Sequence, residues 1–290
     1  MNNPSRQTLA RDEGGVSQLV WDGGEPLLHF AHATGFNAET YRGMLSPLAD
    51  RFRIVASDAR GHGSTTLPAQ PGMPRGWKIF RDDLIAILDR VAPQGAILAG
   101  HSMGGAVSLM AAAARPGKVR ALVLIEPVLM PQSLWWRMML ARFGLRPSEP
   151  GLAERALKRR DVFPSLEMAL AAYRGRGAFK TWPKKPSPTT SKAALSRSRV
   201  VSGLRCRPAW ESECFRSAPF GRVAVGGEGA LSDHHSSRRG RQHIVRGRAC
   251  DDQTPQPICP HRRTERREPF PADGISELVR EEIAQITTTI

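Results

Sequence analysis

Apolar and polar positions along the first 130 residues switch repeatedly between two periods. Short runs rich in apolar residues, typical of buried strands, alternate with segments in which apolar residues recur every three or four positions, as on a helix. The runs lie at 16–21, 26–33, 53–56, 95–99 and 119–125, and the helical segments lie at 38–51, 77–91 and 103–114. Strands that alternate with helices predict an α/β fold, in which a mostly parallel sheet is covered by helices on both faces.

Composition divides the chain further. Its 290 residues carry 42 Lys+Arg and 27 Asp+Glu, a net charge of +15, of which residues 184–275 contribute +9. Only 14 of those 92 residues are Leu, Ile, Val or Phe, against 43 of the 183 before them, and such a composition favours disorder. We therefore expect four parts, which are a core over 1–130, a helical insertion over 131–183, a basic segment of low hydrophobicity over 184–275, and a C-terminal helix over 276–290.

The same composition narrows the functional classes. The first 15 residues lack the apolar core of a secretory signal, and no stretch approaches the ~18 apolar residues of a membrane span. Four Cys in a chain of this length do not indicate a disulfide scaffold. The Arg-rich segment has little aromatic interleaving and no recognition motif, so we expect no specific nucleic-acid partner. These features predict a cytoplasmic protein that does not associate with membranes.

One motif indicates a catalytic residue. Gly100-His101-Ser102-Met103-Gly104 matches G-x-S-x-G and lies between a predicted strand and a predicted helix, the context that this motif requires. The sharp turn predicts that Ser102 stands above the carboxyl edge of the sheet, where the helix N-terminus favours developing negative charge. The backbone N–H of Met103 then becomes a candidate oxyanion donor.

A second oxyanion donor is expected in the loop after an earlier strand. His32-Ala33-Thr34-Gly35-Phe36-Asn37 occupies that loop, Gly35 permits a tight turn, and the Phe36 N–H is the candidate donor. The alternative is that this loop only connects a strand to a helix.

Four segments together resemble the α/β-hydrolase fold family: HATGF after one strand, SDARGHG after the next, GHSMGG at the turn and LVLIEP after it. The resemblance covers residues 26–130. It implies a serine nucleophile at Ser102, an oxyanion hole, a histidine base and a carboxylate, with no metal and no organic cofactor. It implies a small-molecule acyl substrate without fixing which one, and a structural role for His101.

The resemblance also implies that the helical insertion forms a lid over the serine. Its first helix carries Trp135, Trp136, Met138 and Met139. These side chains either line an apolar acyl pocket or pack the lid onto the main domain, and the sequence leaves both open.

The base and the acid are harder to place. The family order is Ser, acid, His, but the loop before the last predicted helix contains no histidine, and the nearest one is His261. Glu126, directly after the strand at 119–125, is the candidate acid, and its alternative is a strand-end carboxylate that bonds only the backbone.

One hypothesis explains the missing base. Residues 184–202 and about 222–275 would be translated out of their original reading frame, and a one-base shift permits a histidine codon across Pro269 and Phe270. The sequence as a whole leaves three functional hypotheses: a serine hydrolase, a catalytically defective homologue without the triad histidine, and a nucleic-acid binder that uses the Arg-rich segment.

Overall fold

The structure is a computed structural model that describes residues 3–73, 76–128, 151–163 and 206–218. It also describes positions 165, 168 and 171–172, and the backbone of five further elements, which lie at 195–197, 202–204, 242–248, 259–266 and 272–286. Among these five elements, side chains are described only at 277 and 279–285. The predicted lid helix at 133–143 lies outside the described residues.

The described strands are β1 Ser5–Arg11, β2 Gly14–Trp21, β3 Leu27–Ala31, β4 Arg53–Ser57, β5 Ala96–His101, β6 Val119–Ile125, β7 Val162–Phe163, β8 Leu195–Arg197, β9 Ser202–Leu204, β10 Gln242–Arg248 and β11 Cys259–Arg266. The described helices are α1 Arg42–Leu45, α2 Lys78–Val91, α3 Met103–Ala114, α4 Leu152–Leu157, α5 Pro208–Arg216 and α6 Ala272–Ile286, with 3₁₀ turns at Ala38–Tyr41, Ser46–Leu48 and Pro116–Lys118.

The main sheet has the order β1-β2-β4-β3-β5-β6-β10-β11 among the described strands. The four central strands β4, β3, β5 and β6 pair in parallel. Strands β2 and β10 run antiparallel to both of their neighbours, so six of these eight strands point the same way. The predicted mostly parallel α/β sheet is confirmed, and strands β7, β9 and β8 form a separate small antiparallel sheet.

Both faces of the central strands are buried, which explains why these strands are largely apolar. On one face, Leu98 and Leu122 pack among residues of α2 and α3. On the other face, Phe30 and Ile97 pack among the segment 38–52 and helix α6, which contributes Val279 and Ile283. The carboxyl ends of β3, β4, β5 and β6 therefore meet at one edge, and the loops that follow them are neighbours there.

Helix α5 lies within the basic segment 184–275, yet it is packed against the core. Trp210 is 3% exposed and its Nε1–H donates to Arg60 O at 3.0 Å, while the Trp77 Nε1–H donates to Cys214 O at 2.8 Å. Residues 208–216 are therefore a docked helix rather than a disordered stretch, and they bring the second half of the chain to the loop after β4.

Candidate functional site

Ser102 occupies a strained backbone conformation between the last residue of β5 and the first residue of α3. Its φ is 54° and its ψ is −113°, a region that costs a non-glycine residue about 1–3 kcal/mol. Three backbone bonds hold it there: the Ser102 N–H donates to Ile125 O at 2.9 Å, and Ser102 O accepts from the N–H groups of Ala106 and Val128. The side chain is half-buried, so it can be reached at the carboxyl edge of the sheet.

The glycines of the motif are required by close packing of the turn. A Cβ at Gly104 would overlap the Ala31 carbonyl at the end of β3, and a Cβ at Gly100 would overlap the Gly104 carbonyl. Both obstacles are backbone atoms that cannot rotate away. The two glycines therefore let α3 start directly against β3 and β5.

Met103 is the first residue of α3, so its N–H is one of the amides that lack a partner within the helix. Its side chain is 1% exposed and fills the core below the turn. This leaves the amide beside Ser102 at the positive end of a 12-residue helix, which suits it to a negative oxygen.

The Phe36 amide, the expected second donor, closes a turn in this structure. Its N–H donates to Ala33 O at 3.1 Å, and Gly35 within the turn has a φ of +79°. To act as an oxyanion donor, the Phe36 N–H must exchange this bond for one to the substrate.

His101 hydrogen-bonds the Tyr41 hydroxyl through Nδ1 at 2.8 Å, and the Ala33 N–H donates to the same hydroxyl oxygen at 3.2 Å. Burial, together with the nearby His32, lowers the pKa of His101 to about 4. These contacts support the structural role expected for His101, which ties the turn to the loop after β3.

Glu126 follows β6 directly and has a φ of 45°. It lies between Ile125 and Val128, whose backbones both bond the backbone of Ser102, so the candidate acid is beside the candidate nucleophile. Burial raises the pKa of the Glu126 carboxyl.

Sequence reasoning assigned no role in the site to two residues that contact the loop after β3. Helix α5 brings Glu211 to Gly35, and its carboxylate pairs there with Arg159 Nη1. A Cβ at Gly35 would come too close to that carboxylate, which adds a steric reason for glycine. Glu211 is 2% exposed, and burial raises its pKa although Arg159 opposes the shift. Their separation of 52 residues leaves no local pattern that could have indicated this pair.

The described histidine side chains are His29, His32, His62 and His101, and none of them hydrogen-bonds Ser102. The other two histidines that can be placed lie on β10 and β11, where the strand pairing locates their backbone. In the β6–β10 ladder Ile244 pairs with Ile125, so His243 takes the register position opposite Glu126. In the β5–β6 ladder His101 pairs with Ile125, so Ser102 takes the position on the other side of Glu126.

Ser102, Glu126 and His243 therefore share one row at the carboxyl edge. Two strand spacings, about 10 Å, separate the Cα positions of Ser102 and His243. His261 lies at a bulge opposite Arg246 and Gly247, which pair with the middle of β6. That position is about 14 Å sideways from Ser102 and about 10 Å back along the strands. The register therefore places His243, and not His261, in the row of Ser102 and Glu126.

The described part of the chain contains no group of three or more His, Cys, Asp or Glu side chains arranged to hold a metal ion. In the same part, no helix combines the length and the apolar character that a membrane crossing demands.

The profile of the alpha/beta hydrolase family matches residues 30–267, most of the chain, and the chain belongs to this family. It is 35% identical over 106 residues to 2-(acetamidomethylene)succinate hydrolase of Mesorhizobium japonicum, which covers 36% of each chain. It is 36% identical over 108 residues to the dihydrolipoyllysine-residue acetyltransferase component of the acetoin cleaving system of Pseudomonas putida, covering 37% of this chain and 28% of that one. The chain thus spans about a third of the length of the curated relatives it matches.

Solved structures show the same fold. The crystal structure of E-2-(acetamidomethylene)succinate hydrolase superposes with a TM-score of 0.55 at 21% identity, over 74% of this chain and 73% of that one. The thioesterase domain from the curacin biosynthetic pathway also gives 0.55, at 19% identity, over 75% and 76%. The hydrolase fold is therefore shared well beyond the region of clear sequence similarity.

Proposed function

We propose that this chain is a serine hydrolase that cleaves a small ester, lactone or related acyl compound through an acyl-enzyme at Ser102. The observation that carries the proposal is the strained strand-to-helix turn, which costs stability and is maintained by three backbone bonds around one half-buried hydroxyl. Relatives whose names describe a succinate-derivative hydrolase and a thioesterase support acyl chemistry as the class.

In the proposed mechanism, Ser102 Oγ attacks the substrate carbonyl while a base takes its proton. The Met103 N–H, and the Phe36 N–H once its turn bond is exchanged, stabilise the oxyanion of the tetrahedral intermediate. Loss of the alcohol or thiol leaving group, which receives the proton from the base, leaves the acyl-enzyme. Water then attacks with help from the same base and releases the acid and Ser102.

We assign the base to His243 and its orienting acid to Glu126. The shared row supports this assignment, because about 10 Å between two Cα positions is within the combined length of a histidine, a serine and one hydrogen bond. The chain order Ser102, Glu126, His243 is also the order that the fold uses.

The test uses a fluorophosphonate probe and a p-nitrophenyl ester with the full chain. We expect a covalent adduct on the Ser102 peptide and ester turnover, both lost in Ser102→Ala. Ser108→Ala, which removes a hydroxyl in the middle of α3, is the matched control and keeps both. Labelling that persists in Ser102→Ala would refute Ser102 as the nucleophile.

A second candidate is a catalytically defective homologue, favoured because no described histidine side chain hydrogen-bonds Ser102. The variants His243→Ala and His261→Ala separate the two. If His243 is the base, its loss lowers kcat by about 10⁴-fold while His261→Ala has no effect. Wild-type turnover at the level of Ser102→Ala would instead support the defective homologue, and the coding DNA around codons 183, 203, 222 and 275 would test the altered reading frame.

The remaining expectations belong to the same proposal. The protein would act on a small-molecule acyl substrate without a cofactor, and it would be located in the cytoplasm. The basic segment would bind polyanions only weakly and in a salt-dependent way. A sequence-selective complex with DNA that persists at high salt would contradict this part of the proposal.

A further inference from the structure

Two histidines form hydrogen bonds between the loops that follow β3 and β4. His32 lies in the first loop, and its Nε2 accepts the Ala59 N–H of the second loop at 2.8 Å. His62 lies in the second loop, and its Nε2 accepts the Gly35 N–H of the first loop at 3.1 Å. The two bonds run in opposite directions between the loops, and the ring centroids are 5.1 Å apart. We call His32 and His62 the histidine clasp.

The remaining ring nitrogens define the protonation state of the clasp. His32 Nδ1 lies 2.8 Å from Ala33 O, and His62 Nδ1 lies 3.0 Å from Arg60 O. A carbonyl only accepts and a backbone N–H only donates, so each ring carries its proton on Nδ1 and is neutral. Both side chains are almost fully buried, at 2% and 1% exposure, and all four ring nitrogens have a partner.

The clasp acts on the loop that bears the proposed oxyanion donor. Gly35, which His62 bonds, directly precedes Phe36, and the Phe36 N–H closes its turn on Ala33. The opposing loop is itself anchored, because the Asp58 carboxylate accepts the N–H groups of Ala38 and Ser64 at 2.8 and 2.9 Å. The clasp thus adds two hydrogen bonds between the loop that bears the Phe36 amide and a neighbouring loop that Asp58 also links to Ala38.

We propose that His32 and His62 are positioning residues for acyl transfer: they set the position of the Phe36 amide without touching the substrate. This inference rests on the proposed function. A donor displaced by about 1 Å costs up to about 100-fold in rate, whereas ground-state binding of a small ester depends little on it. Loss of the clasp should therefore lower kcat and leave KM nearly unchanged.

Two substitutions at His62 separate positioning from general damage. His62→Leu removes the acceptor for the Gly35 N–H, and we expect kcat to fall by about 10- to 100-fold with KM within about twofold. His62→Gln keeps an oxygen acceptor near the Nε2 position and should restore kcat to within about threefold of wild type. The matched control is His29→Leu, which removes an equally buried histidine whose hydrogen bond goes to Ser57 at the end of β4 rather than to a loop residue.

Hydrogen exchange keeps the test independent of turnover. In His62→Leu, the amides of Gly35 and Phe36 should exchange at least about tenfold faster than in wild type, and His29→Leu should leave them unchanged. The positioning role would be refuted if the Gly35 and Phe36 amides exchanged at the wild-type rate in a folded His62→Leu variant. It would also be refuted if His29→Leu lowered kcat as much as His62→Leu does. A wild-type chain without labelling or turnover would refute the proposed function instead. The exchange measurement would still show whether His62 holds the loop at Gly35 and Phe36.

Discussion

Lowering the pH from 7 to 5 should destabilise this protein through histidines that are buried in their neutral form. Burial lowers the pKa of His29 and of His62 to about 3, in each case with a smaller contribution from His32. The pKa of His32 is lowered as well, mainly by burial. In the unfolded chain each of these imidazoles returns to a pKa near 6.5.

The magnitude follows from proton linkage. Between pH 7 and 5 the unfolded chain binds about 0.7 more protons at each histidine, whereas the folded protein binds almost none. Stability therefore falls as the pH drops below about 6.5, and this loss levels off only near pH 3, where the folded protein also binds the proton. For His29 and His62 the loss between pH 7 and 5 is about 2 kcal/mol each, or about 4 kcal/mol together, a large part of the 5–15 kcal/mol that stabilises a typical domain.

Two buried carboxyls act in the opposite direction. The pKa values of Glu126 and Glu211 are raised by burial, so the folded protein binds their protons before the unfolded chain does. They stabilise the fold as the pH falls towards their ordinary pKa near 4.5, and therefore offset part of the histidine effect at the lower end of the range.

The assay is urea unfolding followed by tryptophan fluorescence at pH 7, 6 and 5. His62→Gln removes one titrating group, so its loss of unfolding free energy between pH 7 and 5 should be about 2 kcal/mol smaller than that of wild type. Ser108→Ala serves as the control and should keep the wild-type pH dependence. A His62→Gln variant with the wild-type pH dependence would refute a buried neutral imidazole at this position.

Three further predictions concern stability at pH 7, measured by the same unfolding assay. Gly104→Ala should lower the free energy of unfolding by at least about 2 kcal/mol, because its Cβ would overlap the Ala31 carbonyl. Gly43→Ala, with open space around its Cβ, is the control and should be neutral or slightly stabilising. Equal effects of the two substitutions would contradict the close packing of the turn. Ser108→Ala should gain about 1 kcal/mol, since the fully buried Ser108 hydroxyl has no hydrogen-bond partner, and a loss of similar size would show that it has one. Trp210→Phe should cost about 1 kcal/mol by deleting the bond to Arg60 O, which still accepts from His62, and an unchanged midpoint would argue against the docking of α5.

The central elements could be predicted from the sequence because their signals are local. The helix predicted at 103–114 and the strand at 119–125 appear with the same bounds, and helix α2 differs from its predicted range by one residue. Strand β1 was missed, because this edge strand is largely exposed and carries polar residues on both faces. The helix predicted over 38–51 is broken into short turns, one of which begins with Ser46-Pro47, where proline cannot continue the hydrogen bonds of a longer helix.

The candidate site also combines features that the sequence predicts with features that only the structure shows. The turn at Ser102 depends on neighbouring residues, and the motif with its flanking pattern was sufficient to predict it. The Phe36 loop was predicted as a position, but its turn bond and the contact between Glu211 and Gly35 were not. For the base, the sequence alone showed no histidine in the loop before the last helix and named His261 only as the nearest one. The strand register was needed to bring His243 opposite Glu126.

The amino-acid order by itself determined the alternating α/β architecture and the bend that presents Ser102, since periodicity and glycine spacing act over a few residues. Only the tertiary structure decided which distant groups surround that bend. His32 reaches Ala59 across 27 residues because β3 and β4 are parallel neighbours whose carboxyl ends coincide. Partners of this kind are selected by strand order and register, and these are properties of the whole sheet rather than of any segment.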